Sequence, residues 1–178
     1  MSKTHELIFA GFGGQGILFA GKLLAYTAMI SDREVSWLPS YGPEMRGGTA
    51  NCHVIVSDQP VSSPMVTRPT ILAAMNKPSF EKFEQTVKPD GVVVKDSTLI
   101  DLPVTRTDIR CFDIPATQIA IDMQADKLAN MVLTGKIIKE TGMLDMDTVL
   151  KALEKVVPPT KKQLVELNTK ALMAGYEY

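Results

Sequence analysis

Four glycines stand within six positions in the stretch LIFAGFGGQGILFAGKLLA (residues 7–25). The residues before them form a short apolar run, and apolar residues recur at helical spacing after them, from Ile17 to Ile30. A short apolar run that ends at a glycine and leads into a helical pattern is typical of a strand, a tight loop and a helix. The stretch therefore predicts the first half of a βαβ unit.

Five further strands are predicted, at residues 34–38, 49–57, 70–75, 91–96 and 109–116. TILAAM and GVVVKD are continuous apolar runs, as in strands buried on both faces of a parallel sheet. From about residue 117 the pattern is helical to the end, with a break at Pro158 and Pro159. We therefore predict an α/β fold: a single Rossmann-like domain over residues 1–178, with a mostly parallel sheet flanked by helices and a helical C-terminal region.

Charge and composition exclude several classes of partner. Lys plus Arg number 19 against 20 Asp plus Glu, so the net charge is −1 and no basic stripe favours nucleic acid. No apolar run approaches the roughly 20 residues of a membrane-spanning helix. Cys52 and Cys111 form no CxxC pair and the first residues are polar, so we expect a cytoplasmic protein with reduced thiols.

The glycine loop fits an anion better than a dinucleotide. Gly11, Gly13 and Gly16 satisfy GxGxxG between a strand and a helix, where backbone N–H groups can hold a phosphate or another anion. A NAD site also needs an Asp or Glu at the end of the second strand, to hold the ribose hydroxyls. That strand ends in LPS (residues 38–40). The dinucleotide interpretation thus loses its second support and becomes the weakest alternative, beside an anion site and a purely structural turn.

A second unusual stretch, SYGPEMRGGTANCHV (residues 40–54), contains three glycines and one proline. Arg46 precedes two glycines, so nothing bulky prevents its guanidinium from binding a phosphate or carboxylate in bidentate fashion. Such a loop at the carboxyl edge of an open α/β sheet lies where ligands bind. The alternative is an ordinary surface loop in which Arg46 pairs with Glu44 in solvent.

Together, GFGGQGILFAGKLLA and SYGPEMRGGTANCHVIVS closely resemble the gamma subunit, or pyruvate/ketoisovalerate oxidoreductase catalytic domain, of 2-oxoacid:ferredoxin oxidoreductases. The first motif matches the family's GGQG and the second its YGPExRGG. The segments VSSP (61–64), ANMVLTG (129–135) and LNTKALMAG (167–175) also resemble family segments, so the resemblance covers nearly the whole chain. A separate small chain of this kind looks most like the 2-oxoglutarate enzymes (2-oxoglutarate synthase).

The resemblance implies oxidative decarboxylation of a 2-oxoacid to an acyl-CoA, with electrons passed to ferredoxin. It places thiamine diphosphate with Mg²⁺ and the [4Fe–4S] clusters on partner subunits. In agreement, two cysteines cannot supply the four thiolates of a cluster, and the sequence has no GDG…N pattern for thiamine diphosphate. We expect this chain to bind no cofactor alone, and to help bind or gate the co-substrate coenzyme A (CoA) near the thiamine site.

The resemblance also implies partners: alpha, beta and ferredoxin-like delta subunits, and ferredoxin through the complex. We expect no catalytic residue and no metal ligand in this chain, and a homodimer is possible when it is isolated. The cofactor-binding residues expected from the two motifs are Gly11, Gly13, Gly14, Gln15, Gly16, Ser40, Tyr41, Gly42, Glu44, Arg46 and Gly47. Alternatives are an independent nucleotide-binding or regulatory module, or the same subunit of a pyruvate, branched-chain 2-oxoacid or indolepyruvate oxidoreductase.

Several other residues favour structural roles. His53 lies on a predicted strand and is expected to be a hydrogen-bonded structural histidine rather than a base. Asn130 and Asn168 lie in apolar helical contexts, where a structural hydrogen bond is more common than a contact with a partner. The four lysines of KALEKVVPPTKKQ (residues 151–163) are expected to form a solvated face rather than a CoA-phosphate site.

Overall fold

The computed structural model describes residues 4–40 and 49–178. Six strands form one sheet in the order β2-β3-β1-β4-β5-β6. They are β1 (Thr4–Phe12), β2 (Glu34–Ser40), β3 (Thr49–Ser57), β4 (Ile71–Ala74), β5 (Val92–Asp96) and β6 (Arg110–Ile114). The helices are α1 (Ile17–Ile30), α2 (Lys77–Phe83), α3 (Ala116–Asp122), α4 (Ala129–Thr141), α5 (Met146–Val156) and α6 (Gln163–Glu177).

The sheet is mostly parallel, as predicted. β1, β4, β5 and β6 pair in parallel, while β3 runs antiparallel to both β1 and β2. β2 is therefore parallel to β1 but is separated from it by β3. The predicted βαβ unit exists in chain order, but its two strands are not neighbours in the sheet.

The two faces of the sheet are covered unequally. Leu7 and Phe9 of β1 belong to a large apolar core with residues of α1, α3, α4, α5 and α6. Ile8 and Ala10 point to the other face, into a smaller core with residues of α2 and of irregular segments such as Val66 and Ile100. Successive strand residues face opposite sides, so the continuous apolar strands predicted from the sequence are buried on both faces.

Helices α4 and α6 cross in very close contact. A Cβ atom at Gly135 would overlap the carbonyl oxygen of Leu172, and one at Gly175 would overlap that of Val132. Both glycines end segments singled out in the sequence, ANMVLTG and LNTKALMAG. Their physical role is to let two backbones approach each other. No helix in the described part of the chain is both long and apolar enough to span a bilayer.

Candidate functional site

The carboxyl edge of the sheet carries both the glycine loop and the end of β2, with the start of β3 between them. In the register, Phe12 of β1 lies opposite Thr49 of β3, and Ser40 of β2 lies opposite Asn51. The first residue of β3 therefore lies at the edge where β1 and β2 end. The stretch 41–48, which joins Ser40 to Thr49, contains the predicted residues Tyr41, Gly42, Glu44, Arg46 and Gly47, and these lie outside the described residues.

Gln15 closes the glycine loop on itself. Its Oε1 accepts a hydrogen bond from the backbone N–H of Phe12 at 2.6 Å, and its Nε2 donates to the carbonyl of Met75 at 3.1 Å. The backbone N–H of Gln15 donates to the Phe12 carbonyl at 3.2 Å. The side chain thus fastens the loop to the residue that follows β4. Both ends of its carboxamide are occupied within the chain, so Gln15 shapes the loop.

Two of the loop glycines have backbone conformations that favour glycine. Gly14 has φ +95° and Gly16 has φ +75°, where a Cβ atom is strained. Gly16 is also packed tightly, because a Cβ there would overlap the carboxamide of Asn130. Asn130 Nδ2 donates to the Gly16 carbonyl at 3.0 Å. The expected structural hydrogen bond of Asn130 is therefore present, and it holds the loop.

The N-terminus of α1, beside this loop, has backbone N–H groups without a side-chain cap. The first N–H groups of any α-helix lack intrahelical acceptors, and they form the positive end of the helix dipole. In α1 no side chain caps them, and no acidic residue lies in the first turn. The loop and the helix end together form a preorganised region of positive potential, which favours an anion.

A groove of about 260 Å³ runs along this end of the helix, and we call it the glycine-loop groove. None of its lining side chains is polar, so its polar surface is backbone, and its apolar walls come from β1, α1 and β3. The lining residues are Phe12, Gly13, Gly14, Gly16, Ile17, Leu18, Phe19 and Ala50. Such a groove suits a ligand with an anionic group and an apolar arm.

The order of the strands disfavours a dinucleotide site. In a dinucleotide-binding fold the second strand neighbours the first and ends in the carboxylate that holds the ribose. Here β3 intervenes, so β2 lies two strand spacings, about 10 Å, from β1. β2 ends at Ser40, without a carboxylate. Both observations agree with the absence of the acidic residue from the sequence.

His53 has the structural role expected of it. Its Nδ1 accepts a hydrogen bond from the backbone N–H of Val66 at 3.0 Å, which attaches the segment after β3 to the sheet. Burial lowers the pKa of His53, because the charged imidazolium loses hydration. Burial also raises the pKa of Cys52 and of Cys111 to about 12, so neither is a thiolate at neutral pH.

Two contacts that shape the loop join residues far apart in the sequence. Gln15 reaches Met75 across 60 positions, and Asn130 reaches Gly16 across 114. The sequence signals for Asn130 were a polar residue in an apolar helical context and its place in ANMVLTG, a segment that resembles the family. Among the described residues, no three His, Cys, Asp or Glu side chains are grouped as a metal site requires.

Comparison with known proteins gives a consistent family match. Residues 6–178 match the sequence profile of the family Pyruvate ferredoxin/flavodoxin oxidoreductase. The 2-oxoglutarate synthase subunit KorC of Methanocaldococcus jannaschii is 34% identical over 180 residues, which cover 99% of this chain and 95% of KorC. The ketoisovalerate oxidoreductase subunit VorA of Methanothermobacter thermautotrophicus is 37% identical over 171 residues, or 95% of this chain. This chain spans only about a third (35%) of the length of VorA.

A solved structure matches the fold over its full length. The gamma subunit of a keto/oxoacid ferredoxin oxidoreductase from Geobacter sulfurreducens superimposes with a TM-score of 0.83 at 30% identity. The match covers 97% of this chain and 96% of that subunit. The described fold is therefore that of the gamma subunit.

Proposed function

This chain belongs to the pyruvate ferredoxin/flavodoxin oxidoreductase family as a gamma-type subunit, and we propose that it serves in a complex that oxidises a 2-oxoacid. The reaction is 2-oxoacid plus CoA plus two oxidised ferredoxins to acyl-CoA, CO₂, a proton and two reduced ferredoxins, with the two electrons leaving one at a time. Thiamine diphosphate with Mg²⁺ and [4Fe–4S] clusters on alpha, beta and delta partner subunits supply the decarboxylation and electron-transfer chemistry. The chain works in the cytoplasm and is inactive alone.

The role of this chain is to hold and orient CoA. The observation that carries this role is the glycine loop, which is fixed by Gln15 and Asn130 and leaves the N-terminal N–H groups of α1 without a cap. An anionic group of CoA binds these donors, and an apolar part of the molecule lies in the glycine-loop groove. The backbone of Gly13, Gly14 and Gly16 lines the path of approach.

Arg46 and its neighbours complete the site in this proposal. Ser40 is exposed at the carboxyl edge of the sheet, at the start of the stretch that carries Tyr41, Gly42, Glu44, Arg46 and Gly47. The guanidinium of Arg46 binds the same anionic ligand in bidentate fashion, because a planar fork matches phosphate and carboxylate oxygens.

We favour 2-oxoglutarate as the 2-oxoacid. KorC aligns with this chain over 95% of its own length, whereas the alignment with VorA leaves most of VorA unmatched. Pyruvate-type gamma subunits are matched over a similar share of their length but at 25–26% identity, against 31–34% for the KorC subunits. Pyruvate and branched-chain 2-oxoacids are the alternatives that an assay must include.

Co-purification tests the function. The tagged chain, isolated from its native host, should bring with it a thiamine-diphosphate-binding chain and a cluster-binding chain. The assembled complex should reduce a viologen dye with 2-oxoglutarate and CoA faster than with other 2-oxoacids, whereas the isolated chain should not. Isolation of the tagged chain without such partners, from an extract that has the activity, would count against the proposal.

Arg46→Ala in the assembled complex tests the role in CoA binding. Loss of a charge-assisted contact of about 1.5–3 kcal/mol should weaken CoA binding or turnover by about 10- to 150-fold. Arg46→Lys should recover only part, because an ammonium group lacks the planar fork. The paired measurement is the melting temperature of the free chain. Unchanged kinetics with an unchanged melting temperature would remove Arg46 from the site.

A further inference from the structure

The chain between β3 and β4 folds back over the less covered face of the sheet. Residues 58–69, which we call the cover segment, include the motif VSSP and form neither helix nor strand. Val66 is 3% exposed and belongs to the smaller core with Ile8 and Ile55, and Val61 packs against the same core. The role in CoA binding makes no use of this segment.

One hydrogen bond joins the middle of the cover segment to the sheet. The backbone N–H of Val66 donates to His53 Nδ1 at 3.0 Å. Among the described residues, no other hydrogen bond joins residues 60–68 to the rest of the chain. The imidazole of His53 is therefore the polar attachment point of the segment.

The cover segment is not packed against the sheet along its whole length. A cavity of about 230 Å³ is lined by residues 59–63 of the segment and by Glu6, Ile55 and Ser57 of the sheet. Contact with the sheet is thus concentrated near Val66. The segment can leave the sheet there without breaking a hydrogen bond between strands.

The side chains beside His53 are uncharged. In the register, His53 lies opposite Ile8 of β1 and Leu38 of β2. On β3 itself, Asn51 and Ile55 precede and follow it on the same face. None of these four side chains titrates.

The nearest charged groups of the packed elements have other partners or lie in solvent. Glu6 of β1 is paired with Lys88. In the cover segment, Asp58 is paired with Arg33 at 2.6 Å, and Arg68 is exposed. Burial is accordingly the cause of the lowered pKa of the imidazole.

We propose that His53 is a pH-sensitive latch, which holds the cover segment on the sheet as a neutral imidazole and releases it when protonated. Nδ1 accepts a hydrogen bond only while it carries no proton. In the imidazolium both ring nitrogens are donors, so an Nδ1–H group would face the N–H of Val66 and the bond would be lost. Release of the segment uncovers part of the smaller core.

The direction of the pH dependence follows from proton binding. The attached segment favours neutral His53, whereas in the released state the imidazole titrates near its ordinary pKa of about 6.5. The released state thus binds more protons, and the attachment weakens as the pH falls below about 6.5. The equilibrium constant for release should rise by up to about tenfold per pH unit, until His53 is protonated in the attached state as well.

Hydrogen exchange at the backbone amide of Val66 tests the latch. It is followed by NMR in the full chain and corrected for the intrinsic pH dependence of exchange. Between about pH 7.5 and about pH 5.5, the protection of this amide should fall by about tenfold. The protection of Phe9 in the centre of the sheet reports global unfolding and should fall by less than about threefold.

Two substitutions of His53 separate the hydrogen bond from the titration. His53→Asn places Oδ1 where Nδ1 was and cannot take up a proton, so the protection of Val66 should be the same at both pH values. His53→Leu offers no acceptor, so that protection should be about 3- to 10-fold lower at about pH 7.5 and independent of pH.

The matched control is His5→Asn, which removes the only other histidine of the chain. The fall in Val66 protection should persist in this variant. Constant protection in wild type, an equal fall in His53→Asn, or loss of the fall in His5→Asn would each overturn the proposal. If His53→Asn does not fold, the NMR titration of wild type decides. The amide signal of Val66 must then shift with the same midpoint as the His53 ring, and a shift that does not follow the ring would overturn the latch.

Discussion

The glycine loop and the crossing of α4 with α6 contain the same residue type for opposite reasons. At the crossing, Gly135 and Gly175 leave no space at all, because each lies against a backbone carbonyl of the opposite helix. In the loop, Gly14 has no other atom within 4 Å of the position a Cβ would occupy, and its constraint is its φ of +95°. Gly16 combines both constraints.

This difference shows which glycines a ligand can reach. Where a glycine lies against a carbonyl, the protein itself fills the space beside its Cα, so the role of that glycine is to permit close packing. A glycine with a strained φ and open space keeps a backbone surface free for a ligand to approach. Motif resemblance alone does not separate these cases, since segments that contain both kinds resemble the family.

Gly175→Ala should have the largest effect on stability. The added Cβ meets the Val132 carbonyl, a backbone atom that cannot rotate away, so the helices must separate. Overpacking of this kind costs about 3 kcal/mol, which lowers Tm by about 6–12 °C for a domain of this size. Thermal unfolding followed by circular dichroism measures it.

The control for that variant is Gly142→Ala at the end of α4. Gly142 has φ +56° but no atom within 4 Å of its Cβ position. The loss of stability should come only from the strain of a left-handed backbone conformation, which costs about 1 kcal/mol. Similar losses in the two variants would mean that close packing at the crossing is not what requires Gly175.

Gly16→Ala should have the second-largest effect, a decrease of about 2 kcal/mol in the free energy of unfolding. About half of the loss comes from the positive φ, and the rest from displacing Asn130 from the Gly16 carbonyl. In an Asn130→Ala background the second part is already absent, so the added loss should fall to about 1 kcal/mol. Urea unfolding of the four proteins gives the coupling energy. Strict additivity would show that the two residues do not share a contact.

Much of this fold follows from local sequence pattern. The six strands were predicted from short apolar runs and the C-terminal helices from apolar residues at helical spacing, and both are local features of the sequence. The position of β3 between β1 and β2 was not predicted, since strand order depends on pairing between residues far apart in the chain. Periodicity reports which residues are buried but not which neighbour buries them.

Of the candidate site, the sequence showed only the local features. The glycines and the missing carboxylate after β2 are local features, and the structure agrees with both. Gln15 was expected in the cofactor site, and its bonds to Phe12 and Met75 become visible only when β4 is placed beside β1. The four lysines of residues 151–163 are all exposed, as the sequence predicted.

Gln15→Met should have a smaller effect, about 1–2 kcal/mol. Methionine keeps the length of the side chain but leaves the Phe12 N–H and the Met75 carbonyl without their partner. Gln15→Glu restores the acceptor for Phe12 but not the donor for Met75, so its loss should be intermediate. Chemical denaturation of the three proteins measures the order. If the Gln15→Met variant is as stable as wild type, the hydrogen bonds of Gln15 do not hold the loop, and the conformations of the glycines alone do so.

Gly14→Ala should have the smallest effect on stability. Relative to that loss, its effect on the KM for CoA should be the largest of these variants. Its cost is only the strained φ, about 1 kcal/mol or 2–4 °C in Tm, which matches the expected cost of Gly142→Ala. The two variants therefore form a pair with equal stability, one beside the glycine-loop groove and one at the end of α4.

In the assembled complex, a methyl group at Gly14 occupies the path that our proposal gives to CoA, so the KM for CoA should rise by about tenfold or more, the equivalent of about 1.4 kcal/mol. Gly142→Ala should leave that KM unchanged. An equal KM for CoA in both complexes would mean that Gly14 only shapes the turn. The glycines against a carbonyl and the glycines with open space would then differ in packing alone.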